Sequence, residues 1–356
     1  MKKIVYKLVA LLCIICITGT GLTACGNKNE SQVKTIVDCV GDKVECPAEI
    51  NKVICVSQNA MEFMVAMGLE DHLVGIHKSV FYHTWSKEYI SNLDKLKGFG
   101  YSPTAEAVYE SEADLVIVKD ASTARELREA GVTAITFSYG NDEELIFAVE
   151  LLGEIFGEKA QEYSDKWISY YKETVSEIEK TISKLDDTEK RKVYFIDASV
   201  AIDAGGLCTT VGGSSIVEQW FDNIGAILVT KEYDNIDSIN EEAILQINPE
   251  AIMIGGWSEN TRKEQLLADT KWKNIEAVKN GDIYLTPVGF TSFERYGVEA
   301  PLLLKYSAQQ IYPKLFDYDV VNDFQAFFDE FYGIQVSEEK INYMLKGLSP
   351  DGSRMD

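Results

Sequence analysis

The sequence predicts an α/β protein of two Rossmann-like lobes, each built on a parallel sheet, joined by one long rigid helix. Short apolar runs alternate with stretches of helical periodicity, which is the order that produces parallel sheets. The alternation occurs twice, and the charged stretch 158–190 between its two halves contains no glycine or proline. The 356 residues also exceed what one hydrophobic core usually serves.

Residues 1–24 have the layout of a secretory signal peptide. Lys2, Lys3 and Lys7 precede an apolar run at 8–18 that is shorter than the ~20 residues of a membrane-spanning helix. The run Leu-Thr-Ala-Cys that ends at Cys25 resembles the lipobox of bacterial lipoproteins, whose cysteine carries a diacylglycerol. We expect lipidation of Cys25 and a flexible tether over 25–33, which would hold the chain at the cell membrane. An ordinary signal peptide with a chance cysteine is the alternative.

The N-terminal lobe is expected over 34–157. It opens with a hairpin around Gly41-Asp42 that is flanked by Cys39 and Cys46. An extracytoplasmic location would permit a disulfide between them, but a two-residue turn would set Cys39 opposite Val44, so a bridge and free thiols both stay open. Buried strands are predicted at 52–56, 72–76, 113–118 and 134–138, with a helix closed by Gly68, a helix entered at 102–103 and an amphipathic helix over 142–157.

The interlobe helix is expected over 158–190, where charged and apolar residues alternate at helical spacing. At a rise of about 1.5 Å per residue it would cross a whole domain. Two shorter helices broken near Asp186-Asp187 are the alternative. The C-terminal lobe is expected over 191–356, with strands at 192–197, 251–256 and 281–286 and helices from Tyr296 to the end.

One sequence element occurs in both lobes. Residues 102–119 (SPTAEAVYESEADLVIVK) and 238–255 (SINEEAILQINPEAIMIG) each open with serine, carry a short helix and end in a buried strand. Glu106 stands seven residues before Ala113, and Glu242 stands seven before Pro249. A glutamate therefore occupies the first helical turn in each lobe, where stabilisation of the helix dipole by about 0.3–1 kcal/mol is the simplest explanation.

The chain resembles the helical-backbone periplasmic binding proteins of ABC importers for iron siderophores, haem and cobalamin. The resemblance covers nearly all of the mature chain, from TIVDCVGDKVECPAEINKVICV through both repeated elements to WKNIEAVKNGDIYL and YPKLF. It departs at Ala113, where the family usually has proline, and at Glu250, where it usually has aspartate. The resemblance implies a monomeric, extracytoplasmic receptor with no catalysis and no cofactor, which delivers its ligand to an ABC permease and the permease's ATPase. It also implies that Glu106 and Glu242 dock onto permease arginines, although Glu241 is adjacent to Glu242.

A ligand cleft is expected between the lobes, because ligands of open α/β sheets bind beyond the carboxyl ends of the strands. The densest candidate loop is GIHKSVFYHTW, whose aromatic and cationic residues suit a bulky planar or chelate ligand, unless they pack locally. In SFERYG, the guanidinium of Arg295 would hold an oxyanion or would pair with Glu294 or Glu299. The candidate ligand-binding residues are Ser57, Asn59, His77, Lys78, Tyr82, His83, Trp85, Tyr101, Trp257, Phe293, Arg295 and Tyr296.

Other classes of function fit less well. The net charge of −23 argues against a nucleic-acid partner. His77 and His83 lack the companion motifs of a hydrolase, and the second lobe has no histidine for a shared metal centre. An iron chelate, haem, a corrinoid and a molybdate or tungstate oxyanion all remain open as ligands. A lipoprotein scaffold would not need the matched glutamates.

Overall fold

The computed structural model describes residues 33–199, 206–234 and 236–355. The predictions for the signal peptide and for Cys25 lie outside these residues, as does part of the glycine-rich loop near 200–205. Within the described ranges, no helix is both long and apolar enough to span a bilayer. The cysteines at 39, 46, 55 and 208 are free thiols.

The N-terminal lobe is a five-stranded parallel sheet preceded by an antiparallel hairpin. The hairpin pairs β1 (Val33–Val37) with β2 (Lys43–Pro47). The sheet has the order β5-β4-β3-β6-β7, with β3 (Val53–Cys55), β4 (Leu73–His77), β5 (Lys97–Phe99), β6 (Leu115–Val118) and β7 (Ala134–Thr136). Its helices are α1 (Gln58–Ala66), α2 (Ser86–Tyr89), α3 (Ala105–Tyr109), α4 (Ala121–Glu129) and α5 (Asp142–Phe156).

The hairpin loop has five residues, 38–42, rather than the two that Gly41-Asp42 suggested. Its geometry is set by Asp38, whose buried carboxylate accepts the backbone N–H groups of Val40 at 3.1 Å and Asp42 at 2.9 Å. The same carboxylate accepts the N–H of Thr136 at 3.0 Å, which joins the hairpin to β7. Cys46 pairs in register with Lys34 on β1, whereas Cys39 lies in the loop.

The long helix α6 (Glu158–Ile182) separates this lobe from the next one. It begins at the predicted residue but ends at Ile182 instead of 190, because the apolar stripe that packs against the lobes runs out there. Beyond it, Asp187 pairs with Lys190 in a separate turn. Helix α6 packs closely on α5, where a side chain at Gly153 would lie 2.8 Å from the Ser164 hydroxyl.

The C-terminal lobe is a four-stranded parallel sheet of order β11-β10-β8-β9. The strands are β8 (Lys192–Asp197), β9 (Ile227–Leu228), β10 (Ala251–Gly255) and β11 (Ile283–Leu285). The helices of the lobe are α7 (Ile216–Asn223), α8 (Glu241–Ile247), α9 (Glu259–Ala268) and α10 (Glu276–Asn280), followed by α11 (Ala300–Ile311), α12 (Val320–Tyr332) and α13 (Glu338–Met344). The predicted fold class, two parallel α/β lobes joined by a long helix, is confirmed.

The last segment of the chain returns to the N-terminal lobe. Helix α12 contacts α1, and Lys340 of α13 forms an ion pair with Glu88 of α2. The indole N–H of Trp85 donates to the carbonyl of Leu348 at 2.9 Å. These contacts bridge chain segments more than 250 residues apart, so the two lobes are tied together at their margins as well as through α6.

Trp167 of α6 joins both lobes through one side chain. It is fully buried, meets the ring of Phe63 edge-on at 5.0 Å, and donates its indole N–H to the carbonyl of Val298 at 2.9 Å. Phe63 belongs to the N-terminal lobe, whereas Val298 follows the last strand of the C-terminal lobe. The tryptophan therefore holds helix α1 of the first lobe and a loop of the second lobe against the connecting helix.

We predict that Trp167→Ala lowers the free energy of unfolding by about 3–5 kcal/mol, because it leaves a large cavity and an unpaired carbonyl at this junction. Urea denaturation followed by circular dichroism measures the change. Leu267→Ala on α9, where the side chain is 57% exposed, is the control and should change stability by about 0.5 kcal/mol or less. Equal stabilities of the two variants would contradict this account of the interlobe packing.

Candidate functional site

A cavity of about 520 Å³ lies at the carboxyl ends of the N-terminal strands and faces the second lobe. Its walls combine backbone-rich turns with a few apolar and aromatic side chains. They comprise Val56, Ser57, Gln58 and Asn59 after β3, Tyr101 after β5, Lys119 and Asp120 after β6, Phe137, Ser138 and Tyr139 after β7, and Ile216 and Arg295 from the second lobe. This is the edge of the sheet at which ligands of open α/β proteins bind.

Two cations face this cavity without a counter-ion. Within the described ranges, neither Lys119 nor Arg295 forms an ion pair, and the Arg295 Nε is buried without a hydrogen-bond partner. The pairing of Arg295 with Glu294 or Glu299, which the sequence left open, does not occur. Glu294 instead accepts the hydroxyl of Thr286 at 3.2 Å, and Glu299 accepts the hydroxyl of Tyr332 at 2.8 Å.

Lys119 was missed by the sequence analysis, although the predicted strand 113–118 ends at the observed residue. The buried strand ends at Val118, so Lys119 is the first residue beyond the carboxyl edge of the sheet. Its position just beyond the carboxyl edge of a parallel sheet is the signal that could have identified Lys119 as a candidate site residue. Its side chain stays accessible in the open cleft, yet surrounding protein atoms desolvate the ammonium and lower the pKa of Lys119, with the charge of Arg295 adding to the effect.

The backbone that carries Arg295 is held from the first lobe. Asn59 donates its side-chain amide to the carbonyl of Arg295 at 2.8 Å, and Tyr139 donates its hydroxyl to the carbonyl of Tyr296 at 2.9 Å. Tyr296 adopts a left-handed conformation with φ of 59°, and its own hydroxyl contacts that of Tyr171 at 3.0 Å. Burial raises the pKa of Tyr296.

Three predicted ligand contacts are corrected by the structure because their side chains are buried in the core. Tyr296 is fully buried, and Phe293 is 1% exposed and stacks on Phe324 at 5.7 Å. Trp85 is also 1% exposed, with its N–H bound to Leu348. Aromatic residues in a loop after a strand pack inward as readily as outward, and the sequence pattern does not separate the two outcomes.

The remaining residues of the aromatic loop differ in exposure, since His77 is buried whereas Lys78 and Tyr82 are exposed. The His77 ring stacks on Tyr101 at 3.8 Å and its Nδ1 contacts the Ser79 hydroxyl at 2.7 Å. Tyr82 is 82% exposed, and Lys78 is exposed beside it. Of the predicted contacts, Ser57, Asn59, Tyr101 and Arg295 line the cavity, whereas His77, Lys78, Tyr82, His83 and Trp257 lie outside its lining.

His83 and Trp257 form a stacked pair across the two lobes. Their ring centroids are 3.9 Å apart, and the ring planes differ by 26°. His83 follows β4 in the first lobe, and Trp257 follows β10 in the second. Burial, with the charge of Arg295 second, lowers the pKa of His83 to about 4, and its Nδ1 has no hydrogen-bond partner.

Glu106 and Glu242 occupy matching exposed positions on the two lobes. Each lies in the first turn of a short helix, α3 or α8, that precedes a buried strand. The neighbouring Glu241 is engaged, since it forms an ion pair with Lys271 at 2.5 Å and accepts the indole N–H of Trp272 at 3.1 Å. Of the two adjacent glutamates, Glu242 is therefore the one that is not engaged by Lys271 and Trp272. Among the described residues, no cluster of three or more histidine, cysteine, aspartate or glutamate side chains could hold a metal ion.

Two α/β lobes, a connecting helix and a cleft lined by two cations that form no ion pair are typical of a solute-binding protein. The sequence model of the Periplasmic binding protein family matches residues 53–288, and the chain belongs to that family. Proteins of this family bind solutes outside the cytoplasm and deliver them to ABC transporter permeases; they are not enzymes. The family resemblance seen in the sequence is confirmed.

Two proteins of Bacillus subtilis (strain 168) are similar over most of their length. The chain is 25% identical over 301 residues to the Petrobactin-binding protein YclQ, covering 78% of this chain and 90% of the relative. It is 23% identical over 325 residues to the Iron(3+)-hydroxamate-binding protein FhuD, covering 85% and 96%.

Solved structures share the fold. A periplasmic solute binding protein from Veillonella parvula DSM 2008 superposes with a TM-score of 0.74 at 24% identity, covering 90% of this chain and 99% of that one. The molybdate-binding protein MolA of Haemophilus influenzae superposes with a TM-score of 0.72 at 17% identity, covering 85% and 99%.

We predict that the His83 imidazole titrates at about pH 4 in the folded chain, well below its ordinary value of 6.5. Because the folded pKa is lowered, unfolding takes up a proton between these values. The contribution of His83 to stability is therefore present above pH 6.5 and lost as pH falls toward 4. Ring-proton NMR shifts measured against pH give the midpoint. Trp257→Ala should raise it toward the ordinary value by hydrating the ring, and a midpoint near 6.5 in the unaltered chain would contradict the prediction.

Proposed function

We propose that the chain is a lipid-anchored receptor that captures a negatively charged iron chelate of the siderophore class and delivers it to an ABC permease. The observation that carries this proposal is the pair of unpaired cations, Lys119 and Arg295, at one cavity of an otherwise acidic protein. Two positive charges that form no ion pair favour an anionic ligand, because the ligand would then complete their solvation.

The shape and lining of the cavity favour a chelate. Apolar contact is available from the half-buried Ile216, and the exposed ring of Tyr101 borders the opening. A volume of about 520 Å³ in an open cleft suits an organic ligand of moderate size. The two relatives from Bacillus subtilis are named for petrobactin and for iron(3+) hydroxamate, which supports the same ligand class. Haem and corrinoids remain alternatives of similar bulk.

A molybdate or tungstate oxyanion is the second candidate, and the MolA fold neighbour favours it. Such an ion would need free backbone amides, for which the turns at 57–59 and 209–214 are the candidates. In the second of these segments most amides are already used: Thr210 N–H donates to the Asp237 carbonyl at 3.1 Å, and Gly213 N–H donates to the Tyr233 carbonyl at 3.0 Å. This loss of donors makes the chelate the better supported ligand.

The proposal also includes a lipid anchor at Cys25 and a permease-docking surface at Glu106 and Glu242. Acylation of Cys25 would hold the chain at the membrane through a short tether that joins β1 at Val33. Glu106 and Glu242 would contact arginines of the permease, one on each lobe, and so fix the orientation of the receptor. Because α6 and the C-terminal helices tie the lobes together, release would depend on force applied at these two sites.

We predict that Lys119→Gln and Arg295→Gln each weaken binding of ferric petrobactin or a ferric hydroxamate by roughly 10- to 100-fold. Each variant removes a charge-assisted contact of about 1.5–3 kcal/mol. Tryptophan fluorescence of the purified chain gives the dissociation constant, with haemin and molybdate as competing candidates. Lys87→Gln, which alters an exposed lysine of α2, is the charge-matched control. Unchanged affinity in both cavity variants would overturn the assignment of the site.

We predict that the double variant Glu106→Ala with Glu242→Ala abolishes iron-chelate uptake by cells while leaving the affinity of the purified chain intact. The charge-matched control is Glu110→Ala with Glu241→Ala, which removes carboxylates that already pair with Lys97 and Lys271. Radiolabelled-iron uptake in cells that express either variant in place of the unaltered chain makes the comparison. Normal transport by the Glu106→Ala, Glu242→Ala variant would contradict the docking assignment.

A further inference from the structure

We infer that helix α1 of the first lobe positions Arg295 of the second lobe through Asn59 and Glu62. The position of the ligand-binding cation is therefore fixed by the opposite lobe. The role of Arg295 in binding rests on the function proposed above. The positioning itself rests on contacts of the ligand-free structure. Glu62 lies outside the cavity lining, so it acts through the loop and does not contact the ligand.

Glu62 holds both ends of the loop that carries Arg295. Its Oε1 accepts the hydroxyl of Thr291 at 3.0 Å, and its Oε2 accepts the backbone N–H of Val298 at 2.9 Å. Asn59, one turn earlier on the same face of α1, donates to the carbonyl of Arg295 at 2.8 Å. The loop 291–298 is thus fixed at its start, its middle and its end by two side chains of one helix.

The backbone of the loop is shaped to admit this contact. A Cβ at residue 297 would lie 1.7 Å from Glu62 Oε2, so only the glycine found there lets the carboxylate approach. Tyr296 beside it has a φ of 59°, a strained conformation for a residue with a side chain, which persists only where the surroundings impose it. The hydrogen bonds from α1 are among the contacts that impose it.

The carboxylate of Glu62 is kept competent by a second buried carboxyl group. Glu299, which precedes α11, is buried beside Glu62, and the charge of Glu62 adds to burial in raising the pKa of Glu299. Two neighbouring carboxyl groups in a buried site favour holding one proton between them. Glu62 accepts from Thr291 and Val298 and has Arg295 nearby, so we expect the shared proton on Glu299.

The surroundings of the pair contain one cation and several neutral hydroxyls. The titratable groups that face it are Arg295 from the loop, Tyr89 of α2, Tyr139 after β7, Tyr163 of α6 and Tyr332 of α12. Burial raises the pKa of Glu62 and, more strongly, that of Glu299. Loss of the shared proton at high pH would place two negative charges in this seam and weaken the hold on the loop.

Hydrogen–deuterium exchange of the ligand-free, full-length chain tests the positioning directly. In the unaltered chain, the protection of amides in 291–298, corrected for intrinsic rates, should fall as pH rises through the titration of the pair. Asn59→Ala and Glu62→Ala should each lower that protection by roughly tenfold or more at every pH, since each removes a buried hydrogen bond of about 1.5 kcal/mol.

Glu299→Gln is the matched variant, because its amide N–H can still donate to Glu62 and its amide oxygen can still accept from Tyr332. It should keep the low-pH protection of the loop and abolish its pH dependence. The inference is overturned if Glu299→Gln retains the pH dependence of the unaltered chain, or if Asn59→Ala leaves the loop fully protected. Should Glu62→Ala fail to fold by circular dichroism, Asn59→Ala and Glu299→Gln decide the question.

Ferric petrobactin binding provides the functional arm of the test. Asn59→Ala should weaken binding about as much as Arg295→Gln, and the double variant should show little additional loss, because both act on one contact. Fully additive losses would contradict the positioning role. If the unaltered chain does not bind the probe, the proposed ligand class fails, while the exchange experiment still decides whether α1 positions the loop.

Discussion

The structure depends on the buried junction at which α1, α6 and the loop 291–298 meet. Trp167 of α6 contacts Phe63 of α1 and binds the Val298 carbonyl, while Glu62 of α1 binds the Val298 N–H. Both backbone groups of Val298 are therefore satisfied by side chains from other elements, one from the first lobe and one from the connecting helix. A buried polar group without a partner costs roughly 1–3 kcal/mol, so this junction can separate only at considerable cost. The position of the second lobe relative to the first is set here.

The cleft has an electrostatic character that the overall composition conceals. The chain carries a net charge of −23, yet the cavity presents Lys119 and Arg295, neither of which forms an ion pair within the described residues. An isolated cation pair within an acidic protein concentrates attraction for an anion at one point, and the acidic surface repels the same anion elsewhere. The nearby histidines do not add to this positive charge at neutral pH, because burial and Arg295 lower the pKa of both His77 and His83.

The fold could be predicted from the sequence because its signals are local and repeated. Apolar runs bounded by turns give strands, the uninterrupted stretch before Ile182 gives α6, and the order of elements gives parallel sheets. The site could be predicted only in part. Strand ends point to Ser57, Asn59, Tyr101 and Arg295. Lys119 also follows a correctly predicted strand end, but no local pattern separates it from an ordinary surface lysine. The inward orientation of Trp85, Phe293 and Tyr296 depends on helices α12 and α13 and on α6, which are distant in sequence, and no local pattern carries that information.

The contacts that hold the loop 291–298 to the first lobe affect how such a receptor could release its ligand. The cavity is lined mainly by the first lobe, and the loop with Arg295 is bound to the first lobe by Asn59, Glu62 and Tyr139. Helix α12, which follows the loop, also packs on α1. A force that separates the two sheets would therefore leave both Lys119 and Arg295 with the first lobe and would withdraw chiefly Ile216 and the Trp257 side of the aromatic stack. Separation of the lobes would open the apolar side of the cleft to water before it divided the two cations.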